Sequence, residues 1–171
     1  RGATPETMIL TGIAILYIFS ASTTLLQYFG EEEAVAQSVF WMVGDLDKAS
    51  WGNVMMAGFV VAVCVPLLML KSWDLNVLAA GDETAKSLGV NVKRVRIFTM
   101  TIVSLLVASI VCFTGTIGFI GLLAPHITRI VVGGDNRFLI PASSLVGAVM
   151  LVGADTIARR IIAPVIIPVC V

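Results

Sequence analysis

Charge is scarce in this chain. Lys, Arg, Asp and Glu make up 13% of its 171 residues against 58% hydrophobic, and the mean hydropathy is +0.99. Soluble globular domains carry about a quarter charged residues, so the composition excludes that class and points to an integral membrane protein. Acidic and basic residues balance at 11 each, so no basic field argues for nucleic acid, and charges matter by position rather than by sum. Cysteine is also sparse. Cys64, Cys112 and Cys170 lie in apolar stretches without CxxC or His spacing, and read as small packing residues rather than a disulfide or metal framework. His126 is the single histidine; with no Cys, Asp or Glu near it in sequence it reads as a hydrogen-bonded packing residue rather than a metal ligand. No Ser-His-Asp order, HExxH, phosphate loop or pair of carboxylates inside an apolar run occurs, so the chain is not read as an enzyme. Signal peptides, low-complexity segments and obvious short repeats are absent from the sequence as well.

What is present is a series of apolar runs of membrane length. About 20 apolar residues cross the hydrocarbon core as a helix, and 7–30 meets this without a charge. The run 52–70 is shorter, but Trp51 and Trp73 flank it as interfacial anchors. The uncharged stretch 97–128 is too long for one crossing, so it is expected to break at Gly115, Gly118 and Gly121, giving spans at about 95–113 and 116–132. A fifth span is expected over about 138–157. From about residue 161 the chain turns apolar again and stops too soon to cross, which reads as a truncated sixth span; Arg1 is equally no natural start. The fold class expected is therefore all-α, a polytopic transmembrane bundle forming a single permease domain over 1–171.

Lys71, Lys86, Lys93, Arg94 and Arg96 lie between the second and third spans, so the positive-inside rule places that polar island in the cytoplasm. Alternation then puts Glu31 to Glu33, Asp45, Asp47 and Lys48 outside, the Gly133 to Arg137 turn inside, and Arg159-Arg160 outside. The last pair runs against the rule. Two readings stand, contact with lipid headgroups or docking of an acidic partner arriving from outside. Asp155, one turn before Arg159, is expected to pair with it.

The island is the most informative segment. Leu75, Leu78 and Ala79 fall on one helical face, Ala85 and Leu88 on another, and Gly81 and Gly89 supply stops, so two short helices joined near Gly81-Asp82 are expected within 74–90. Asp82 and Glu83 suit the second helix's N-terminus, Asp82 as a partial capping box. Arg129 is expected to snorkel to the cytoplasmic end of its span.

Several separated motifs resemble one family. Glu83-x-Ala85-x-x-x-Gly89 is similar to the loop by which permeases of ATP-driven importers contact their ATPases. The runs Gly115-Thr116-Ile117-Gly118-Phe119-Ile120-Gly121-Leu122-Leu123-Ala124-Pro125-His126-Ile127-Thr128-Arg129 and Gly153-Ala154-Asp155-Thr156-Ile157-Ala158-Arg159 resemble signature segments of the type II ABC importers of iron siderophores, haem and cobalamin. Leu75 to Glu83 is similar to that family's coupling region, and Trp41-Met42-Val43-Gly44 to its outer loop. The resemblance covers essentially the whole chain.

It implies a permease of ten helices, about twice this length, working in the cytoplasmic membrane as a homodimer with two ATPase subunits and an external substrate-binding protein. This chain would be the fifth to ninth helices and the start of the tenth. No cofactor is expected on it, ATP and Mg belonging to the ATPase. Leu75, Leu78, Ala79, Gly81, Asp82, Glu83, Ala85, Leu88 and Gly89 would form the coupling site, and Arg159 and Arg160 the docking site for the binding protein. Pro5, Glu6, Thr11, Ser20 and Thr23 would belong to the gate and pathway, the gate being a short non-helical loop from Ala3 to Thr7 just ahead of the span. One departure is Ile166-Ile167-Pro168-Val169-Cys170 where the family carries Glu-x-Pro-x-Gly.

Two rival readings are a secondary transporter, for which the 115–121 break could serve as a discontinuous helix, and a structural membrane subunit that needs neither island nor outer arginines. Against the first, the middles of the spans hold no Asp or Glu.

Overall fold

The structure, a computed structural model, describes residues 5–44 and 49–161. Ala3 of the expected gate, Asp45, Asp47 and Lys48, the chain beyond 161 and the Ile166 to Cys170 run lie outside the described residues. Among those described the fold is all-α: α1 Pro5–Phe29, α2 Glu32–Met42, α3 Trp51–Leu70, α4 Ser72–Ala79, α5 Asp82–Ser87, α6 Val92–Thr114, α7 Ile120–Val132 and α8 Asn136–Ile161. Helices α1, α3, α6 and α8 are long and apolar enough to cross a membrane, which makes the chain a multi-pass membrane protein.

Two compact units divide the chain at Met42 and Val43. In the first, α1 starts at Pro5, where a missing N–H costs nothing and φ is already helical. Leu10, Leu16, Phe19 and Leu26 are exposed along it, as expected of a helix that is apolar all round and meets lipid or a further protein surface. Four of its hydroxyls are satisfied within the helix. Thr11 donates to the Thr7 carbonyl, Ser22 to Ile18, Thr23 to Phe19 and Thr24 to Ser20, each returning a proton to the turn before, as polar side chains in hydrocarbon do. Gly30 turns the chain into α2. A Cβ there would lie 3.1 Å from Val35 Cγ2, so any larger residue would require the Val35 side chain to give way slightly. Gln27 of α1 donates to Ser38 of α2 across this turn. The outer acidic segment thus opens a helix, with Glu32 and Glu33 in its first turn, where the dipole favours them.

In the second unit, α3 packs on α6 and α7 packs on α8. Ser50 caps α3 by accepting the Asn53 N–H, and Asn91 caps α6 by accepting the Arg94 N–H at 3.1 Å. That cap sets the start of α6 three residues ahead of the expected Val95, because Lys93 and Arg94 ride on the first turn rather than ahead of it. Val92, Val95 and Ile102 form its buried stripe. The α7–α8 hairpin is the tightest pairing: Ala124, Thr128 and Leu139 are buried there, and a Cβ on Gly147 would lie 3.5 Å from that of Ala124.

The break expected at the glycine series is real but placed differently. Gly115 ends α6 with φ +71, and the chain stays non-helical to Phe119, so the crossing expected over 116–132 holds a helix only from Ile120. Thirteen residues of α-helix cover about 20 Å, short of a hydrocarbon core of roughly 30 Å. The other positive φ in this segment belongs to Phe119, at +63, while Gly121 is inside α7. A parallel bridge between Val43 and Thr116 ties the non-helical segment to the chain preceding α3.

Candidate functional site at the polar end of the bundle

The island folds as the two helices expected, and each stop has a physical cause. Lys71 alone separates α3 from α4, and its ammonium meets Asp74 at 2.9 Å. Gly81, at φ +111, turns the chain between α4 and α5, a conformation that side chains resist. Gly89, at φ +81, ends α5 in a two-bond cap, its own N–H reaching the Lys86 carbonyl and that of Val90 the Ala85 carbonyl.

Asp82 does not cap α5. Gly81 occupies that position without a side-chain bond, and both Asp82 carboxylate oxygens take Arg96 Nη2 of α6, at 2.9 and 3.2 Å. Asp82 still stands in the first turn with Glu83, where the dipole favours both. Glu83, solvent-facing, pairs with Lys86 at 2.9 Å and holds that ammonium above its usual pKa; an exposed pair of this kind is worth little.

A second tie runs from α4 to the turn before α8. Asn76 Nδ2 donates to Asp135 Oδ1 at 2.7 Å, while the Asn136 N–H donates to Asn76 Oδ1 at 2.8 Å. The same Asp135 oxygen accepts the Arg137 N–H at 3.0 Å, and these bonds, the backbone one first, lower the Asp135 pKa. Arg137 lies 4.3 Å over the Trp73 ring, near enough for a cation–π contact, so Trp73 does more than flank a span.

The expected coupling residues divide by exposure. Leu75 and Leu78 are half-buried, whereas Ala79, Gly81, Glu83, Leu88 and Gly89 face outward. Ala85 is fully buried and Leu88 is 65% exposed, although the Leu88 N–H still bonds the Thr84 carbonyl in helical register; the packing of α5 on α4 and α6 covers Ala85 and leaves Leu88 open. At the far end of α8, Arg159 Nε meets Asp155 at 2.8 Å, the expected one-turn pair, and Arg160 is exposed. Of the gate and pathway residues, Pro5, Glu6, Thr11, Ser20 and Thr23 all lie on α1, so the gate expected as a non-helical loop is helical from Pro5 to Thr7, proline being suited to the first turn of a helix. His126 is exposed on α7 rather than packed, Arg129 is exposed one turn on, and Cys112 is exposed where packing was expected, unlike buried Cys64. Among the described residues no cluster of His, Cys, Asp or Glu could hold a metal.

Sequence reasoning missed Asn76, Asp135, Asn136 and Arg137 as one constellation. Their partners stand about sixty positions apart, beyond any periodicity. The local signal was an asparagine among aliphatics on a short helix and an Asp-Asn pair opening a long one.

Comparison with known proteins bears on this geometry. The profile of the FecCD transport family matches residues 1–171. A provisionally named ABC transporter permease of Methanocaldococcus jannaschii is 52% identical over 99% of this chain and 48% of its own length. The hemin transport system permease of Yersinia pestis is 36% identical over 95% of this chain and 48% of its own. A solved structure, titled provisionally as a metal-chelate type ABC transporter in an inward-facing conformation, superposes with a TM-score of 0.93 at 32% identity, over 98% of this chain and 55% of that one. The chain thus spans about half the length of the curated relatives it matches.

Proposed function

This chain belongs to the FecCD transport family, and from that premise we propose that it is the membrane-spanning permease part of an ATP-driven importer in the cytoplasmic membrane. Its cargo would be a metal chelate such as haem or a ferric siderophore, or else cobalamin. A separate ATPase would bind ATP and Mg, an external binding protein would deliver the cargo, and a second copy of the permease would complete the pathway. The permease itself would do no chemistry.

One observation carries this reading. The α4–α5 pair stands outside the spans, held to α6 by Asp82 and Arg96 and to α8 by Asn76, yet it leaves Ala79, Gly81, Glu83 and Leu88 exposed. A rigid element that is bound to the spans and open to a partner is what transmission of a domain movement requires. A structural subunit needs no such element. A secondary transporter could use the 115–119 break, but no carboxylate sits in the middle of a described span to bind a coupling ion.

The test uses the full-length protein with its ATPase in liposomes. Gly81→Pro imposes a φ of about −65° where +111° is found, and Leu88→Asp charges an exposed apolar position. Both should cut ATP-driven uptake by about tenfold or more, the order of losing a 1.4 kcal/mol contact, while insertion is unchanged. Unaltered uptake in both would remove α4–α5 from the mechanism.

A further inference from the structure

We infer that Asn76 is the joint through which the α4–α5 pair moves the α7–α8 hairpin, which makes Asn76 and Asp135 positioning residues of the transport cycle. The inference rests on the coupling role proposed for α4–α5 and adds the route by which movement leaves it. Besides this joint and the packing of α4 on α8 around it, the pair is tied to its neighbours in sequence: α4 follows α3 after Lys71, and α5 is clasped to α6 by Asp82 and Arg96. Asn76, supported by Trp73 under Arg137, reaches 59 residues along the chain to a different pair of helices.

The chemistry of the joint suits transmission. A helix begins with N–H groups that lack an intrahelical partner. In α8 the Arg137 N–H is taken by Asp135 of its own turn, but the Asn136 N–H is taken by the Asn76 carbonyl oxygen of α4. The start of α8 is therefore capped in part from another helix. The other half of the Asn76 amide donates to Asp135, so one side chain satisfies a donor and an acceptor in a fixed plane, and α4 cannot shift without dragging that turn or breaking both bonds.

Beyond that turn the hairpin is stiff. Tight packing at Gly147, Ala124 and Thr128 makes α7 move with α8. Helix α8 continues for 26 residues, about 39 Å at 1.5 Å per residue, and carries Arg159 and Asp155 at its opposite end. A displacement of the island thus reaches the far face of the membrane along one unbroken helix.

A polarity swap tests the joint in the full-length protein assembled with its ATPase in liposomes, reading substrate moved per ATP hydrolysed. Asn76→Asp sets a second carboxylate against Asp135 where a hydrogen bond stood, both positions being half-buried, and should lower that ratio about tenfold. In the double variant Asn76→Asp with Asp135→Asn, the new carboxylate accepts the Asn136 N–H and a bond from the new amide turned toward it; because one Asp135 oxygen serves both Asn76 and the Arg137 N–H, that turn restores the joint between the helices but not the Arg137 bond. The ratio should return to within about threefold of the original, as a directly coupled pair requires. A structural staple alone would alter the amount of assembled transporter, so that amount is measured alongside and is expected to stay constant. If Asn76→Asp does not assemble, Trp73→Ala, which removes only the cation–π support, should still lower the ratio severalfold, an exposed to part-desolvated contact of this kind being worth about 0.5–2 kcal/mol. Wild-type coupling in Asn76→Asp, a double variant no better than the single, or wild-type coupling in Trp73→Ala where the single does not assemble overturns the joint. If Leu88→Asp uncouples while Asn76→Asp does not, only the joint fails; if neither uncouples an active transporter, the coupling role of α4–α5 fails with it.

Discussion

Asp135 holds three roles in one residue, accepting from Asn76, capping α8 through the Arg137 N–H and, through its carbonyl, receiving Phe138 and Leu139. Hydrogen bonds to the charged form lower its pKa in the folded protein. A depressed folded pKa contributes stability that is fully present above the unfolded value and is lost as pH falls through the folded one. The joint should therefore be indifferent to pH between about 5 and 8 and weaken only below about 4, where carboxylates protonate. Thermal unfolding of the purified protein checks this: the advantage of wild type over Asp135→Asn should be constant near neutrality and shrink in acid. An advantage that shrinks between about pH 8 and 6 would assign the titration to another group. Neither the cap that Asn91 makes nor the partner of Asp82 was read from the sequence; Arg96 competes for the Asp82 carboxylate and wins by charge.

At the scale of elements, α1 shows how a polar stripe survives in an apolar helix. The protons of Thr11 and Thr23 go to their own backbone, so toward a water-filled route these residues would present oxygen lone pairs. If α1 lines such a route, single cysteines from Thr7 to Ser22 in a full-length protein cleared of its native cysteines should react with a polar thiol reagent at a period of about 3.6 residues. Reactivity should also change with nucleotide state; uniform protection would place the route on other helices. Helix α2 was not foreseen, since a cluster of glutamates reads as loop until Gly30 and Gln27 are seen to fold it back. The late start of α7 has the opposite cause. Thr116 and Ile117 are compatible with helix by type, but the Val43 bridge and the Phe119 backbone at φ +63 hold the segment out of it.

For the whole molecule, α8 is long and apolar enough to cross a membrane, and the role expected of its Arg159 end can be tested separately. Asp155 orients Arg159 at 2.8 Å without burying it. If this end docks a carboxylate of a binding protein, Arg159→Glu should weaken docking by about two- to fivefold, since exposed pairs contribute about 0.2–1 kcal/mol. The loss should shrink at high salt and be partly recovered by a Glu-to-Arg change on the partner. Docking measured in detergent that ignores both substitution and salt would leave the arginines to the lipid headgroups.

Class and the four long apolar helices were legible in the sequence alone, because hydropathy acts locally and needs no knowledge of neighbours. The two-helix island came from Gly81 and Gly89 for the same reason, a positive φ being a property of one residue. Which residues of that island face outward, and what holds it, only the tertiary structure decided. Ala85 and Leu88 are three positions apart and share a helical face on paper, yet one is buried and the other open, since the elements packed on α5 cover one end of that face and not the other. Asn76 meets Asp135 across about sixty residues, a distance that only the packing of α4 against α8 closes; a hydrogen bond of that kind leaves no period in the sequence.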